Sequence, residues 1–310
     1  MMDVEPVNQT RLFGLSKFFI QFVNLFNKGK LPNKILLSGH KGLGKSTLSY
    51  HFINYVLSQN EDFSYDLINF KIDEKNRTYK TIQNRSNPNF ILVDIDLDKK
   101  SIDINQIRDL ILNLNKTSFN TKPRFVLIDN IDLLNINSIN ALLKILEEPT
   151  KNVNFILINN NKKILSTLSS RCINFKIFLT HKECLEISKK LVDDDLNSLI
   201  NNNLVNYYFT PGNLYTLIKF AQNNNYDLKN IDLKELLKII IKENQYKKNS
   251  HIKFLFIDLI EYYFRSLNFN FTTSIYNKYS YFLKRISDTK KLNLDEESLF
   301  MEFDEEILNG

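Results

Sequence analysis

The stretch GHKGLGKST, Gly39 to Thr47, lies between an apolar strand-like run, KILLSG at 34–39, and a helical pattern, TLSYHFINYVL, running from Thr47 to Leu57. A strand that turns through glycines into a helix commits the backbone to a loop whose N–H groups converge on an anion. Gly39, Gly42 and Gly44 permit the curl, Lys45 reaches the β and γ phosphates of a nucleotide, Ser46 ligates Mg²⁺, and Thr47 closes the motif. The chain has only 7 glycines in 310 residues, and three fall within these six positions. A plain glycine-rich turn opening a helix is the alternative, and the flanking strand and helix argue against it. The chain is therefore expected to hold ATP with Mg²⁺.

Apolar runs recur at 90–95 (FILVDI), 124–129 (RFVLID), 154–159 (NFILIN) and 173–178 (INFKIF), with helical patterns between them. This alternation predicts an α/β core with a mostly parallel five-stranded sheet and helices on both faces. Ile104, Ile107, Leu110, Ile111 and Leu114 repeat at helical spacing behind Asp103, with Gln106 placed to complete a capping box. Another helix is expected from about Ser138 to Glu148, stopped by Pro149. Beyond residue 180 the period is helical throughout, with segments near 232–246, 251–267, 273–287 and 294–308. The Asn-rich stretch at 223–230 is the best linker candidate. The expected division is a nucleotide-binding core at 1–179, a helical lid at 180–224 and a C-terminal helical domain at 225–310.

KLPNKILLSGHKGLGKST, QIRDL, RFVLIDNIDLLN, SINALLKILEEP and LSTLSSRC, in this order, resemble the AAA+ subunits of clamp loaders, most nearly the delta-prime type of bacterial DNA polymerase III. The similarity spans residues 30–178 and thins beyond 180. It implies an AAA+ P-loop core, lid and C-terminal collar. It also implies assembly with ATPase subunits and a clamp-opening subunit in a hetero-oligomeric ring that loads a sliding clamp onto primed DNA. Asp129 would hold the Mg²⁺ water shell, and Asn160, among Asn159 to Asn161, would sense the γ-phosphate. Arg171 in SSRC would act in trans as an arginine finger at a neighbour's ATP, with Ser170 positioning its turn.

The same comparison marks departures. The family's ATPases carry a water-polarising Glu after the strand aspartate, whereas this chain has Asn130, an amide without useful basicity. Asp132 is a poor substitute, two residues further on. Tyr215, in GNLYTL, stands where active subunits place a lid arginine. Hydrolysis at this chain's own site is therefore expected to be slow or absent, with the subunit acting as a scaffold. The region 60–88 lacks the four cysteines of a zinc module that many relatives carry, so no metal except Mg²⁺ is expected. Phe63, Leu67, Ile68 and Phe70 are expected to hold that region together. Two other readings stay open: an active clamp-loader ATPase whose water is placed by an unidentified residue, and an unrelated P-loop nucleotide kinase.

Composition sets outer limits. With 43% hydrophobic residues the chain can bury a sizeable core, and no run of 18 apolar residues suggests a membrane span. The acidic start MMDVEPVNQ does not read as an export signal. Two cysteines, Cys172 and Cys184, cannot build a disulfide framework, and a cytoplasmic location is the default expectation. The 41 basic and 35 acidic residues interleave, giving a net charge of +6 that permits nucleic-acid contact without arguing for it. Lys71 to Arg85, interrupted by Asp73 and Glu74, reads as a solvated loop.

Overall fold

The computed structural model describes residues 5–95, 101–116, 120–147, 152–207, 209–248, 250–266, 273–292 and 295–309. The chain forms two compact units. The first comprises the described residues up to Leu191 together with Thr210–Gly212; the second comprises Val192–Phe209 and everything from Asn213 onward.

The first unit runs α1 (Ser16–Asn27), β1 (Lys34–Ser38), α2 (Lys45–Leu57), α3 (Arg77–Gln83), β2 (Phe90–Val93), α4 (Ile104–Leu114), β3 (Arg124–Ile128), a 3₁₀ turn (Ile131–Leu133), α5 (Ile136–Glu147), β4 (Val153–Asn159), α6 (Ser166–Ser169), β5 (Ile173–Lys176) and α7 (His181–Val192). All five strands pair in parallel in the order β2-β3-β4-β1-β5. Strand side chains alternate between faces. Ile35, Leu37, Phe125, Leu127, Ile156 and Ile158 meet Phe19, Phe22, Leu48 and Phe52 of α1 and α2 on one side. Leu36, Val126, Ile128, Phe155 and Leu157 meet Ile107, Leu110, Leu142 and Leu146 of α4 and α5 on the other. A sheet covered on both faces needs apolar residues at consecutive strand positions, which is why these strands read as continuous runs.

The capping box on α4 is complete: Asp103 accepts from the backbone N–H of Asn105 and Gln106, and Gln106 Oε1 accepts from the Asp103 N–H at 3.0 Å. α5 ends at Glu147, and Glu148 and Pro149 lie outside the described residues. α1 has no counterpart among the sequence expectations. Its signal was present, because Leu15, Phe18, Phe19, Phe22 and Val23 are buried at helical spacing.

The region 60–88 departs from expectation. Phe63, Leu67 and Ile68 are exposed, Ile68 at 88%. Of the four aromatic and aliphatic residues expected to hold it, only Phe70 packs inward, edge-on to Phe19. Tyr65, Ile72, Tyr79 and Ile82 form its apolar anchor instead. Fully buried Asn76 caps α3 through the Tyr79 N–H, accepts from Asn54 Nδ2 at 3.0 Å and donates to the Phe63 carbonyl at 2.6 Å. Polar bonds at buried positions act beside this apolar anchor, which uses other residues of the same region than those expected. Lys71–Arg85 is thus no simple solvated loop, since it contains α3 and three of those anchors.

The second unit is helical, with α8 (Leu196–Leu199), α9 (Asn202–Val205), most of α10 (Pro211–Asn223), α11 (Leu233–Lys242), α12 (Gln245–Lys248), α13 (Ser250–Ser266), α14 (Thr273–Leu292) and α15 (Glu296–Phe303). Its core is rich in aromatic edges: Phe300 meets Tyr246 at 4.7 Å and Phe256 at 4.8 Å, and Phe303 meets Phe282 at 5.5 Å. The Asn-rich stretch after α10 is tied down: Leu228 is buried, and Asn201 bonds to the carbonyls of Leu228 and Ile231.

Candidate functional site

In the strand order, β1 lies between β4 and β5, so the chain leaves β1 at the carboxyl edge of the sheet with neighbours on both sides. Open parallel sheets present ligand crevices at that edge. Gly39 is required there by contact, because a Cβ on it would stand 2.4 Å from the carbonyl oxygen of Ile177. Gly44 precedes α2 in the left-handed region (φ 82°) and leaves the helix without a side-chain cap. The first N–H groups of a 13-residue helix therefore remain available to an anion, reinforced by the helix dipole.

Lys45 is 3% exposed, and its Nζ donates to the carbonyls of Gly39 at 2.8 Å and His40 at 2.6 Å. Burial pushes its pKa down to about 8, opposed by the charges of Asp129 and Asp132. The ammonium is thus held across the hollow of the loop by neutral carbonyls, available to an incoming anion. Ser46 donates through Oγ to Asp129 Oδ2, joining the loop to the end of β3. Asp129 keeps some exposure, but the surrounding protein desolvates its carboxyl and pushes it up to about 6. The Ser46 and Asn130 hydrogen bonds oppose that rise, and the nearby charge of Asp94 adds to it. Thr47 is half-buried in the first turn of α2. Gly42 is held from outside the loop, its carbonyl accepting the Gly212 N–H at 2.9 Å, and Thr210 Oγ1 donates to the Lys41 carbonyl at 2.8 Å.

Past β3 the chain turns through Asn130 in the left-handed region (φ 57°), a conformation an asparagine tolerates well. Its amide Nδ2 donates to Asp94 Oδ1 at 2.9 Å, and its Oδ1 accepts from Asn160 Nδ2 at 2.7 Å. Asn160 also approaches Asp132, whose carboxylate pairs with Lys162 at 2.8 Å. Asn159 instead bonds within its own turn to the Lys162 carbonyl. Asp94 and Lys162 were not singled out from the sequence. The signal for Asp94 was its place just after a buried strand, the same register as Asp129.

Arg171 follows α6 and is held in cis: NH1 donates to the Thr167 carbonyl at 2.6 Å and NH2 to Glu147 Oε1 at 2.5 Å. Ser170 Oγ bonds to the same Thr167 carbonyl at 3.1 Å. The residues from Gly39 to Ser46 converge with Asp129, Asn130 and Asn160 at the sheet edge, whereas Arg171 joins none of their hydrogen bonds. Tyr215 is buried within the second unit, with Lys219 Nζ 5.8 Å from its ring centre. Among the described residues no group of three or more His, Cys, Asp or Glu side chains could hold a metal ion.

A family model described as "DNA polymerase III, delta subunit" matches residues 14–180. The chain belongs to this clamp-loader family. A DNA polymerase III subunit delta' of Buchnera aphidicola subsp. Acyrthosiphon pisum is 26% identical over 271 residues, covering 84% of this chain and 80% of that one. The delta' subunit of Buchnera aphidicola subsp. Baizongia pistaciae is 32% identical over 172 residues, covering 53% of this chain and 48% of its own. Several curated relatives, gamma and gamma/tau subunits among them, are matched over only 27% to 48% of their length. Among solved structures, a gamma subunit-related protein of DNA polymerase III from Thermotoga maritima is similar at a TM-score of 0.49 and 17% identity, over 91% of this chain and 96% of that one. No described helix of this family member is long and apolar enough to cross a membrane.

Proposed function

We propose that this chain is the delta-prime subunit of a DNA polymerase III clamp loader, binding ATP with little hydrolysis and serving catalysis mainly at a neighbour's site. One observation carries the reading: a phosphate loop with a buried, carbonyl-held Lys45 faces an Asp129–Ser46 pair, while the position next to Asp129 holds an amide. The loop and the open N-terminus of α2 suit a triphosphate. The hydroxyl of Ser46 and the carboxylate of Asp129 form the hard oxygen pair that Mg²⁺ takes alongside phosphate oxygens and water. Gly39, Gly42, Gly44 and Thr47 shape the cradle, and Asn160 is the γ-phosphate sensor. Bound magnesium supplies charge neutralisation at the phosphates. Asn130 cannot accept a proton from water, so the position after Asp129 offers no base.

Arg171 is the residue offered in trans. A guanidinium beside another subunit's γ-phosphate offsets charge developing in phosphoryl transfer. Residues 1–179 would act as the nucleotide core, 180–224 as a lid and 225–310 as a collar within a ring that includes ATPase and clamp-opening subunits. The ring would load a sliding clamp onto primed DNA, in the cytoplasm. ATP bound here would act chiefly by stabilising the fold and the assembly.

The test is ATPase turnover of the reconstituted complex, with nucleotide retention measured on the purified chain. Retained ATP, most turnover surviving Lys45→Ala in this chain, and most turnover lost with Arg171→Ala are the expected results. Loss with Lys45→Ala and none with Arg171→Ala would sink the scaffold reading.

A further inference from the structure

Three carboxylates stand beyond the ends of β2 and β3, and their partners separate them. Asp129 is engaged at both oxygens, by Ser46 Oγ on Oδ2 and by the Asn130 N–H on Oδ1 at 2.8 Å. Asp132 has a side chain only 4% exposed, is paired with Lys162 at 2.8 Å and is approached by Asn160. Its oxygens are thus already taken up by Lys162 and Asn160. Asp94 differs from both. Its two donors, the Ile95 N–H at 2.7 Å and Asn130 Nδ2 at 2.9 Å, both fall on Oδ1. Among the described residues Oδ2 receives no hydrogen bond, and the group, half-buried beside Asp129, feels the charge of Lys41 without a salt bridge to it.

We propose that Asp94 is the catalytic base of this chain's own nucleotide site, its Oδ2 taking the proton of the attacking water. The carboxylate missing after Asp129 is thus supplied one strand away, where β2 runs alongside β3. The proposal rests on the nucleotide-binding reading above. In the step, a lone pair of the water oxygen forms a bond to the γ-phosphorus. The bond from that phosphorus to the β,γ-bridging oxygen breaks, and its electron pair leaves on ADP. The water proton passes to Asp94 Oδ2 and then to solvent, leaving ADP and inorganic phosphate. Asn130 orients the base: its Oδ1 is occupied by Asn160, so its Nδ2 points at Asp94. The two donors on Oδ1 hold the carboxylate in place and leave Oδ2 to the water.

The experiment uses the full chain in excess over γ-labelled ATP with Mg²⁺, following phosphate release over hours in a single turnover, with ATP affinity and the ATP-induced rise in Tm measured alongside. Asp94→Asn is expected to slow release about a hundredfold while affinity and Tm rise stay within about twofold of the unsubstituted chain. Asp109→Asn, at an exposed position of α4, is the control and leaves the rate within about twofold. Unchanged release from the Asp94→Asn variant, or retained ATP that the unsubstituted chain never cleaves, overturns the assignment. Failure to retain ATP or to gain Tm overturns the nucleotide-site reading itself, and the role of Asp94 with it.

Discussion

Asn160 donates its side-chain amide to Oδ1 of Asn130 at 2.7 Å, so the residue just past β4 sets the orientation of the one that follows Asp129 beyond β3. This contact fixes which end of the Asn130 amide faces Asp94. A carboxylate at 130 would lose the donor and face Asp94 as a like charge, and the left-handed backbone there would add roughly 1 kcal/mol for a Glu. Asn130→Glu alone is therefore expected to give little gain in phosphate release. Exchanging the pair, Asn130→Glu with Asp94→Asn, restores one carboxylate and one amide and is expected to recover at least the rate of the unsubstituted chain. Single-turnover phosphate release from the two variants checks this, and a faster single variant than double would contradict it.

Arg171 sits in an exposed ion pair with Glu147, a kind of contact worth about 0 to 1 kcal/mol. Arg171→Ala should therefore shift the Tm of the isolated chain by only a few degrees at most. In the assembled complex the same variant is expected to lower turnover by roughly a thousandfold at the site it serves. Thermal melts of the chain beside ATPase rates of the complex separate the two roles; a large melt shift with unchanged turnover would make Arg171 a structural residue.

Much of the sheet was legible because each strand is covered on both faces, which forces apolar residues at consecutive positions such as Phe125 to Ile128. The α4 capping box was equally plain, since Asp103 and Gln106 act locally. The anchoring of 60–88 was not legible. It depends on Asn76 reaching Asn54 and the Phe63 carbonyl, and on His51 reaching Tyr65, contacts between residues 13 to 22 positions apart that no periodicity reports. At the site, the motif from Gly39 to Ser46 announced itself by composition and spacing. Asp94 did not, because its meaning comes only from strand pairing that brings it beside Asn130.

Asp129 carries a cost that a substitution should reveal. Its folded value, about 6, lies above its ordinary 3.8, so ionising it disfavours the folded state. The penalty is absent below about pH 4 and complete above about pH 6, where it amounts to about 3 kcal/mol at most. Asp129→Asn is expected to raise Tm at pH 7.5 and to lose that advantage by pH 4, while weakening ATP binding in Mg²⁺. Melting curves across pH, with and without Mg-ATP, give both readings, and a destabilised variant at pH 7.5 would contradict the strained-carboxylate account.

His51 provides a pH response far from phosphate chemistry. It is fully buried in α2, with Nε2 3.0 Å from the Gln9 carbonyl and Nδ1 2.8 Å from the Tyr65 hydroxyl. The carbonyl can only accept, so Nε2 carries the proton and Nδ1 accepts from Tyr65. Burial pushes the pKa down to about 4 from 6.5. With the folded value below the unfolded one, the unfolded chain takes up a proton first as pH falls. The stability conferred by a neutral His51 is complete above about pH 6.5 and is lost progressively toward pH 4, a difference of about 3 kcal/mol. His51→Gln keeps a donor and an acceptor without a titrating ring. It is expected to flatten the decline of Tm between pH 6.5 and 4.5, at the expense of some packing at neutral pH. Melting the two chains side by side over that interval decides it: parallel declines would remove His51 as the cause.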